Sequence, residues 1–491
     1  MDWTLFWGIL YALIIASTVV VILLENRSPF KAIGWMLVLL LLPLLGLILY
    51  LFFGRDMHIL SRKTYEQVNS AVMATIPAAP EAPTLDDSRP ASHQLIRHLI
   101  AYQTGAPLVM ADEIAILTNG FSKIESLLDD INHAQDHIHI EYYRFSSDRT
   151  GEVVAAALMK KAKEGVRVRL LYDHVGCFKT KRSFFNKLRE AGVETVPFLP
   201  VAFPTIARKM NYRNHRKIAV IDGKVGYLGG MNIADDYTYG NNLGLWRDTH
   251  FRLTGQAVNG LQTTFYYDWY IATAQVLPSK LFYRSEAIPT MDYLANTTDA
   301  YDSAPKVGEA LTQTFFGGPA DRFRTLNHVL CRALYSAKKK VVIHTPYFLP
   351  TDNLNKAIIN IALSGVRVEL MTPWVNDSPA VKLAARSYYR ELLEAGVHIY
   401  QYTDGFLHSK LMTIDDEMAI IGSANMDFRS LEHNYEINTV VYDRRFTQEL
   451  AQVMERDKKL HSTEIDARRW MKRSIWKRMP ESVFRLFAPL F

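Results

Sequence analysis

Cysteine is scarce in this sequence, which contains only Cys177 and Cys331. The two residues lie far apart in the chain, and no CxxC pair or cysteine-histidine spacing accompanies them. This count and spacing argue against a disulfide framework and against a zinc site. We therefore expect both cysteines to be ordinary core residues, and we expect the protein to use no metal and no other cofactor.

Charged residues are absent from residues 3–24 and 32–53, two N-terminal runs of 22 residues each. A helix of this length can cross the ~30 Å hydrocarbon layer of a bilayer. A cleaved signal peptide is the alternative for the first run, but a basic leading segment and an A-x-A site are both missing. The sequence thus predicts a membrane anchor over residues 1–53, with two transmembrane helices.

The cations beside these runs predict how the anchor is oriented. The segment between the runs has Arg27 and Lys31 against Glu25, whereas a stronger cluster of cations follows the second run. Since the more cationic flank stays inside, both termini are expected in the cytoplasm. We therefore expect a multi-pass protein of the cytoplasmic membrane, with the remainder of the chain facing the cytoplasm.

Positive charge is in modest excess over the whole chain. There are 56 Lys and Arg against 50 Asp and Glu, a net charge of +6, and 49% of residues are hydrophobic. Such a composition excludes a mainly disordered protein and favours an anionic partner, either phospholipid or nucleic acid.

The tail, residues 466–491, interleaves cations with aromatic residues, which is typical of an interfacial helix on anionic lipid. A solvated terminal helix is the alternative.

The remainder of the chain contains a linker and an internal duplication. Residues 77–92 are rich in Pro and Ala, and we interpret residues 54–107 as a linker region. Farther on, AKEGVRV at residues 162–168 resembles ALSGVRV at residues 362–368. Strand, helix, Gly, strand, helix and strand recur in that order in both halves.

This repeat predicts the fold class. We expect two duplicated α/β units, residues 108–295 and 296–465, with largely parallel sheets covered on both sides. A shared ancestry suggests that the units are related by a pseudo-two-fold axis. A site could then form between them.

The pattern HxK(x)4D(x)6G[GS]xN occurs once in each unit, at residues 215–232 and 408–425. Two complete matches at equivalent places in a duplication are a strong signal. The matched residues are His215 and His408, Lys217 and Lys410, Asp222 and Asp415, Gly229 and Gly422, Gly230 and Ser423, and Asn232 and Asn425.

These residue types suit phosphoryl transfer without a metal. In a strand His215 and Lys217 share a face, and Arg216 points the other way. Lys and Asn can donate hydrogen bonds to phosphate oxygens, and the glycines allow the backbone to approach a bound phosphate. One imidazole would attack phosphorus while the other protonates the leaving alkoxide. The two aspartates belong to the candidate catalytic motif, but their turn positions suggest structural supports.

The paired motif resembles the phospholipase D superfamily, and the surrounding sequence resembles bacterial cardiolipin synthases. Similar segments are RNHRKIAVIDGKVGYLGGMNIADDY, WRDTHFRL, TPYFLP, RSYYRELLEAGV and FLHSKLMTIDDEMAIIGSANMDFRS. The resemblance implies that phosphatidylglycerol donates its phosphatidyl group to an enzyme histidine and that a second phosphatidylglycerol accepts it. Nucleic acid is not an expected partner. Arg144 departs from the family, which more often has an aliphatic residue there.

The resemblance also implies roles for individual residues. His215 would be the nucleophile and His408 the general acid, later the base. A carboxylate downstream of each motif would orient its imidazole, and the positional matches are Asp248 for His215 and Glu436 for His408. The alternative for each carboxylate is a surface salt bridge.

Two other functions remain compatible with the motifs. A hydrolase of the same superfamily, acting on phospholipid or on nucleic acid, would use the same first step, with water as the acceptor. A non-catalytic membrane scaffold could keep the fold, although it would be expected to lose a His or Lys from one motif. The membrane anchor favours a lipid substrate over nucleic acid.

Overall fold

The computed structural model describes residues 3–24, 29–50, 68, 70–72, 91–201, 212–278, 304–321 and 323–488. Most of the predicted linker, including residues 73–90, lies outside these ranges. Its C-terminal part forms helix α4 (Ala91–Thr104), whose Ile96 and Ile100 are buried in the core. The globular part therefore begins before residue 108, because this helix contributes apolar side chains that the composition of the linker concealed.

Three helices occur in the predicted anchor: α1 (Trp3–Leu24), α2 (Pro29–Leu41) and α3 (Pro43–Leu49). Within the described ranges, one helix is long and apolar enough to cross a membrane, over Phe6–Leu24. The second predicted span is interrupted at Pro43, which has no N–H to continue the hydrogen bonding of α2. The two-span prediction is therefore not confirmed, and residues 51–53 lie outside the described part.

A single sheet of fifteen strands runs through both repeats. The first repeat contributes β1 (Val109–Leu117), β2 (His137–Tyr142), β3 (Arg167–Asp173), β4 (Glu194–Phe198), β5 (Lys217–Ile221), β6 (Val225–Gly229) and β8 (His250–Thr254). The second contributes β9 (Lys306–Gly317), β10 (Lys340–His344), β12 (Arg367–Pro373), β13 (His398–Tyr402), β15 (Leu411–Ile414), β16 (Met418–Gly422), β18 (Glu436–Val441) and β19 (Ser462–Glu464).

The strand order shows the duplication directly. It runs β19-β13-β12-β10-β15-β16-β18-β9-β1-β8-β6-β5-β2-β3-β4, so each repeat mirrors the other about the antiparallel pair β1 and β9. The α/β duplication is thus confirmed. The expectation of largely parallel sheets is wrong: β2-β3-β4 and β10-β12-β13 are parallel, but the other neighbours are antiparallel. Both motif strands form antiparallel hairpins. They are buried on both faces, so their sequences are continuously apolar, as those of buried parallel strands also are, and the two arrangements could not be told apart from sequence.

Helices cover the sheet and bury its apolar side chains. In the first repeat they are α5 (Gly120–His133), α6 (Arg149–Lys163), α7 (Arg182–Glu190) and α8 (Val258–Thr273). In the second they are α9 (Thr325–Leu334), α10 (Asp352–Leu363), α11 (Pro379–Glu394), α12 (Phe428–Glu432) and α13 (Arg444–His461), followed by α14 (Ala467–Met471) and α15 (Ile475–Leu486). One core cluster contains side chains from both repeats, including Ile218 and Ile437. The motif strands therefore rest on a shared core.

Candidate active site

Short strand pairings join the two motifs to the opposite repeats. The His215 N–H donates to the Tyr435 carbonyl at 2.9 Å, and the Tyr435 N–H donates to the Arg213 carbonyl at 2.9 Å. At the equivalent place, β7 (Trp246–Arg247) pairs with β14 (Phe406–Leu407). The His408 N–H donates to the Arg247 carbonyl at 2.7 Å. Each motif histidine therefore lies beside a strand segment from the other repeat.

This pairing sets which carboxylate meets which imidazole. His215 Nδ1 lies 2.8 Å from Glu436 Oε1, and His408 Nδ1 lies 2.7 Å from Asp248 Oδ2. The prediction that Asp248 serves His215 and Glu436 serves His408 is therefore wrong, because each carboxylate crosses to the other repeat. Both carboxylates are fully buried, so neither is a surface salt bridge.

Both imidazoles line one pocket of about 340 Å³. Because each Nδ1 faces a carboxylate, Nε2 is the nitrogen of each ring that is assigned to the reaction. Lys410 Nζ also lies 3.2 Å from Nε2 of His408. The pocket wall also has three arginines and two aspartates: Arg144, Arg213, Arg429, Asp377 and Asp427. The arrangement gives a reacting group two imidazoles inside a cationic wall.

The two motif lysines lie beneath the imidazoles. Lys217 Nζ is 2.5 Å from the carbonyl oxygen of His215, and Lys410 Nζ is 2.8 Å from Nδ1 of His408. Burial lowers the pKa of Lys217 to about 7 and that of Lys410 to about 8. Neither lysine is among the residues that line the pocket, and Lys217 is only partly protonated at neutral pH. An incoming phosphate anion would favour the charged form of both lysines.

Burial also determines the charge states of the imidazoles and their carboxylates. It lowers the pKa of His215 to about 4 against the opposing effect of Glu436, and it lowers the pKa of His408 well below its ordinary value. Burial raises the pKa of Asp248 to about 6, whereas His215 and other donors hold the pKa of Glu436 below its usual range. At neutral pH both carboxylates are thus ionised, and His215 is a neutral imidazole able to attack.

Arg216 points away from the pocket, as the alternation of a strand predicts. Its guanidinium forms an ion pair with Asp268 and donates to the carbonyl oxygens of Glu436, at 3.2 Å, and Gly317, at 3.1 Å. Arg216 thus ties the strand of His215 to the backbone of the residue that orients it.

Asp222 and Asp415 lie at the other ends of the motif strands. Asp222 accepts hydrogen bonds from the N–H groups of residues 135–137 at 2.8–2.9 Å. Asp415 does the same for residues 338–340 at 2.7–2.8 Å. Both have positive φ, 54° and 53°, which suits an Asp in a tight turn. They support the starts of β2 and β10 and are not among the residues that line the pocket. The structural role suggested by their turn positions therefore fits better than a catalytic one.

The small residues of the motifs make room for neighbouring strands. A Cβ on Gly230 would lie 2.3 Å from Asp248 Oδ1, and one on Gly422 would lie 2.3 Å from the Ile437 carbonyl oxygen. A Cβ on Gly229 would lie 2.6 Å from the Thr249 carbonyl oxygen. Instead of opening the backbone to phosphate, these glycines let the strands that carry the carboxylates approach. Ser423 Oγ donates to Glu436 Oε2 at 2.5 Å.

The two motif asparagines both line the pocket. Asn232 accepts from the Arg144 N–H at 3.1 Å and donates to the Tyr237 hydroxyl at 2.9 Å. Asn425 donates instead to Asp427; burial raises the pKa of that carboxyl to about 6, and the bond from Asn425 opposes the rise. The side chain of Arg144 forms an ion pair with Asp236.

Aromatic residues around the imidazoles were missed from sequence. Tyr143 packs edge-on against His215, with ring centroids 5.1 Å apart, and Tyr347 packs against His408 at 6.3 Å. Trp246 lies 5.1 Å from the ring of His408. The sequence contained a usable signal, because residues 137–145 (HIHIEYYRF) and 341–348 (VVIHTPYF) stand at equivalent places in the two repeats. Each has a Tyr one to three residues after its strand, Tyr143 in the first and Tyr347 in the second.

Comparison with known proteins assigns the family. The model described as "Cardiolipin synthase, PLD-like domain" matches residues 127–269 and 330–458, and "Phospholipase_D-nuclease N-terminal" matches residues 12–55. "Cardiolipin synthase 2" of Bacillus anthracis is 38% identical over 96% of this chain and 88% of its own length. "Cardiolipin synthase" of Geobacillus kaustophilus (strain HTA426) is 39% identical over 96% of this chain and 91% of its own. The chain belongs to the cardiolipin synthase family.

Membership confirms the identification made from the paired motifs and favours a phosphatidyltransferase over a hydrolase. Among solved structures, phosphatidylserine synthase of Haemophilus influenzae Rd KW20 is similar in fold. Its TM-score is 0.60 at 16% identity, and the match covers 81% of this chain and 98% of that one. The family's phospholipase D-like α/β duplication is therefore present here, with one motif in each repeat.

Proposed function

We propose that this chain joins two phosphatidylglycerol molecules into cardiolipin and glycerol through a covalent phosphatidyl-histidine. The observation that carries the proposal is the pair of imidazoles in one pocket, each held at Nδ1 by a carboxylate from the other repeat. Family membership supplies the substrate class, a phospholipid. The two histidines and two lysines supply a nucleophile, an acid and cations, so the proposed reaction is written without a metal.

In the first half-reaction Nε2 of His215 attacks the phosphorus of one phosphatidylglycerol. A nitrogen–phosphorus bond forms, and the bond from phosphorus to the headgroup glycerol oxygen breaks. His408 must enter this step as an imidazolium, with Nδ1 facing the ionised Asp248 and with the bound phosphate anion opposing the effect of burial on its pKa. It gives its Nε2 proton to that oxygen, so glycerol leaves neutral. Lys217 and Lys410 offset the negative charge on the remaining oxygens.

In the second half-reaction the headgroup hydroxyl of another phosphatidylglycerol attacks the same phosphorus. His408, now neutral, removes the hydroxyl proton as the nitrogen–phosphorus bond breaks. Cardiolipin forms and His215 regains its lone pair. Glu436 offsets the positive charge that His215 carries while it is phosphorylated. Because the pKa of Glu436 is lowered and that of Asp248 is raised, the partner of His215 is the more strongly ionised, and we assign the attack to His215 for this reason.

The proposed location is the bacterial cytoplasmic membrane, with α1 as one span, residues 32–53 as a second, and the pocket on the cytoplasmic side. Helix α1 supports membrane association, since only 6% of its apolar stretch is buried in the protein. The break at Pro43 is compatible with a second span. A helix interrupted by proline can still cross a bilayer when neighbouring groups form hydrogen bonds with the freed backbone carbonyls.

A product assay tests the proposed reaction. The purified protein in detergent is incubated with phosphatidylglycerol labelled in its headgroup as the sole lipid, and the products are separated. We expect cardiolipin and free glycerol in equal amounts. Phosphatidic acid with glycerol and no cardiolipin would show that water is the acceptor and would replace the transferase with the hydrolase.

A further inference from the structure

The C-terminal helix α15 carries a continuous apolar face that is open to solvent. Six large apolar side chains on it, or just after it, are between 47% and 78% exposed. At ~100° per residue, their positions fall within an arc of about 120°. They are Ile475, Trp476, Met479, Val483, Leu486 and Phe487.

The opposite side of α15 is fixed to the globular part. Glu481 is 4% exposed and lies 3.0 Å from Arg386 of α11, and it also pairs with Arg473. Phe484 packs against the core of the second repeat, and the Arg485 guanidinium stacks over Tyr388 at 4.3 Å. Because these contacts fix the rotation of the helix, the apolar face is held outward.

The surroundings of this face are strongly basic. Residues 467–488 contain seven cations, Arg468, Arg469, Lys472, Arg473, Lys477, Arg478 and Arg485, and one carboxylate, Glu481. At ~100° per residue, Lys477 lies about 80° beyond one end of the apolar arc and Arg478 about 60° beyond the other. An apolar stripe bordered by cations matches the interface of an anionic bilayer, where acyl chains lie beneath charged headgroups.

Helix α11 connects this face to the pocket. Ser378, its N-cap, and Val381 in its first turn line the pocket, and Arg386 farther along contacts α15. Just before α11, the side chains of Trp374 and Val375 are also exposed. Helix α11 thus links the rim of the pocket directly to α15.

We propose that α15 lies on the surface of an anionic phospholipid bilayer and holds the rim of the pocket next to the lipid. This contact is additional to α1 and deepens the proposed action on phosphatidylglycerol, on which it rests. The charge of the surroundings favours lipid over a second copy of this chain, whose matching face would bring like cations together.

Fluorescence quenching tests the contact independently of activity. In a Cys177→Ser, Cys331→Ala background, Trp476→Cys is labelled with an environment-sensitive dye in the full chain, reconstituted into phosphatidylglycerol vesicles. Tyr102→Cys on α4, where the native side chain is 81% exposed, is the matched control. We expect lipids with a spin label on the acyl chain to quench the dye at 476 and not at 102. Equal quenching at both sites would overturn the proposal. So would an unquenched dye at 476 together with disulfide cross-linking between two copies of the unlabelled Trp476→Cys variant.

Kinetics supply a second readout. We expect Trp476→Ser with Leu486→Ser to raise the KM for phosphatidylglycerol in vesicles about tenfold or more. The reason is the loss of two apolar side chains that the bilayer would bury. The kcat, and the rate with monomeric dihexanoyl phosphatidylglycerol, should stay unchanged. An equal loss with both substrates would contradict a docking role. If the native chain made no cardiolipin, the proposed function would fail, while the quenching result would stand.

Discussion

Replacing Glu436 with Gln removes the charge that faces His215 while keeping the shape of the side chain. The carboxylate accepts from His215 Nδ1 at 2.8 Å and from Ser423 Oγ at 2.5 Å, with no exposure to water. It raises the pKa of His215 against the effect of burial, so its loss makes a positively charged ring at 215 less favourable. The attack that creates this ring should therefore slow.

The magnitude follows from the contact. A hydrogen bond to a charged group contributes about 1.5–3 kcal/mol, and each 1.36 kcal/mol in the barrier is a factor of ten in rate. If the whole contribution is expressed in the transition state, Glu436→Gln slows the attack by about 10- to 150-fold. Glu417→Gln is the matched control, because that carboxylate lies at the surface and forms an ion pair with exposed Arg444 at 3.1 Å.

The assay isolates the attack with a donor that bears a nitrophenol leaving group in place of glycerol. Nitrophenolate leaves without a proton, so the burst of colour reports attack by His215 and does not need His408. We expect Glu436→Gln to slow the burst and Asp248→Asn to leave it unchanged, because Asp248 serves His408. A burst slowed by Asp248→Asn and unaffected by Glu436→Gln would refute the crossed pairing.

Four further predictions concern the mechanism, the fold and the topology. Activity should survive EDTA, and loss that one divalent ion restores would refute the metal-free reaction. The alkaline fall in activity should begin near pH 7–8, since Lys217 is protonated only below its pKa of about 7. Lys217→Arg should move this fall to higher pH in a pH–rate profile, and an unmoved fall would assign it elsewhere. Asp222→Asn should lower the unfolding free energy by about 2–3 kcal/mol, measured by denaturant unfolding, with kcat of the folded protein little changed. A large loss of kcat at unchanged stability would instead make Asp222 catalytic. From outside the cell, a cysteine-specific reagent should label Ser28→Cys and not Ser88→Cys, and the reverse pattern would invert the orientation.

Much of the fold follows from local sequence because the duplication is written in local patterns. AKEGVRV and ALSGVRV each end a helix at a Gly with positive φ, Gly165 or Gly365, and open a strand. Strand direction was less predictable, since a buried run such as residues 218–221 reads the same in a parallel or an antiparallel pair. Helix α4 was missed because proline-rich sequence runs up to it, so that residues 54–107 were assigned as a whole to the linker region.

The motif residues were predictable, but the partners of the histidines were not. Spacing along the chain placed Asp248 after the first motif and Glu436 after the second, which suggested pairing within each repeat. The crossing depends on long-range strand pairing, in which Tyr435 bonds beside His215 and Arg247 bonds beside His408. No local pattern encodes such contacts, because they arise only when the two repeats share one sheet.

Covalent trapping tests the central claim most directly. The His408→Ala and His215→Ala variants are exposed to the nitrophenyl donor with a radiolabelled phosphatidyl group, quenched without strong acid, and digested. The account predicts persistent label in His408→Ala on the peptide that contains His215, because the intermediate lacks the base that activates the acceptor. It predicts no label in His215→Ala. Label in His215→Ala, or none in His408→Ala, would contradict attack by His215.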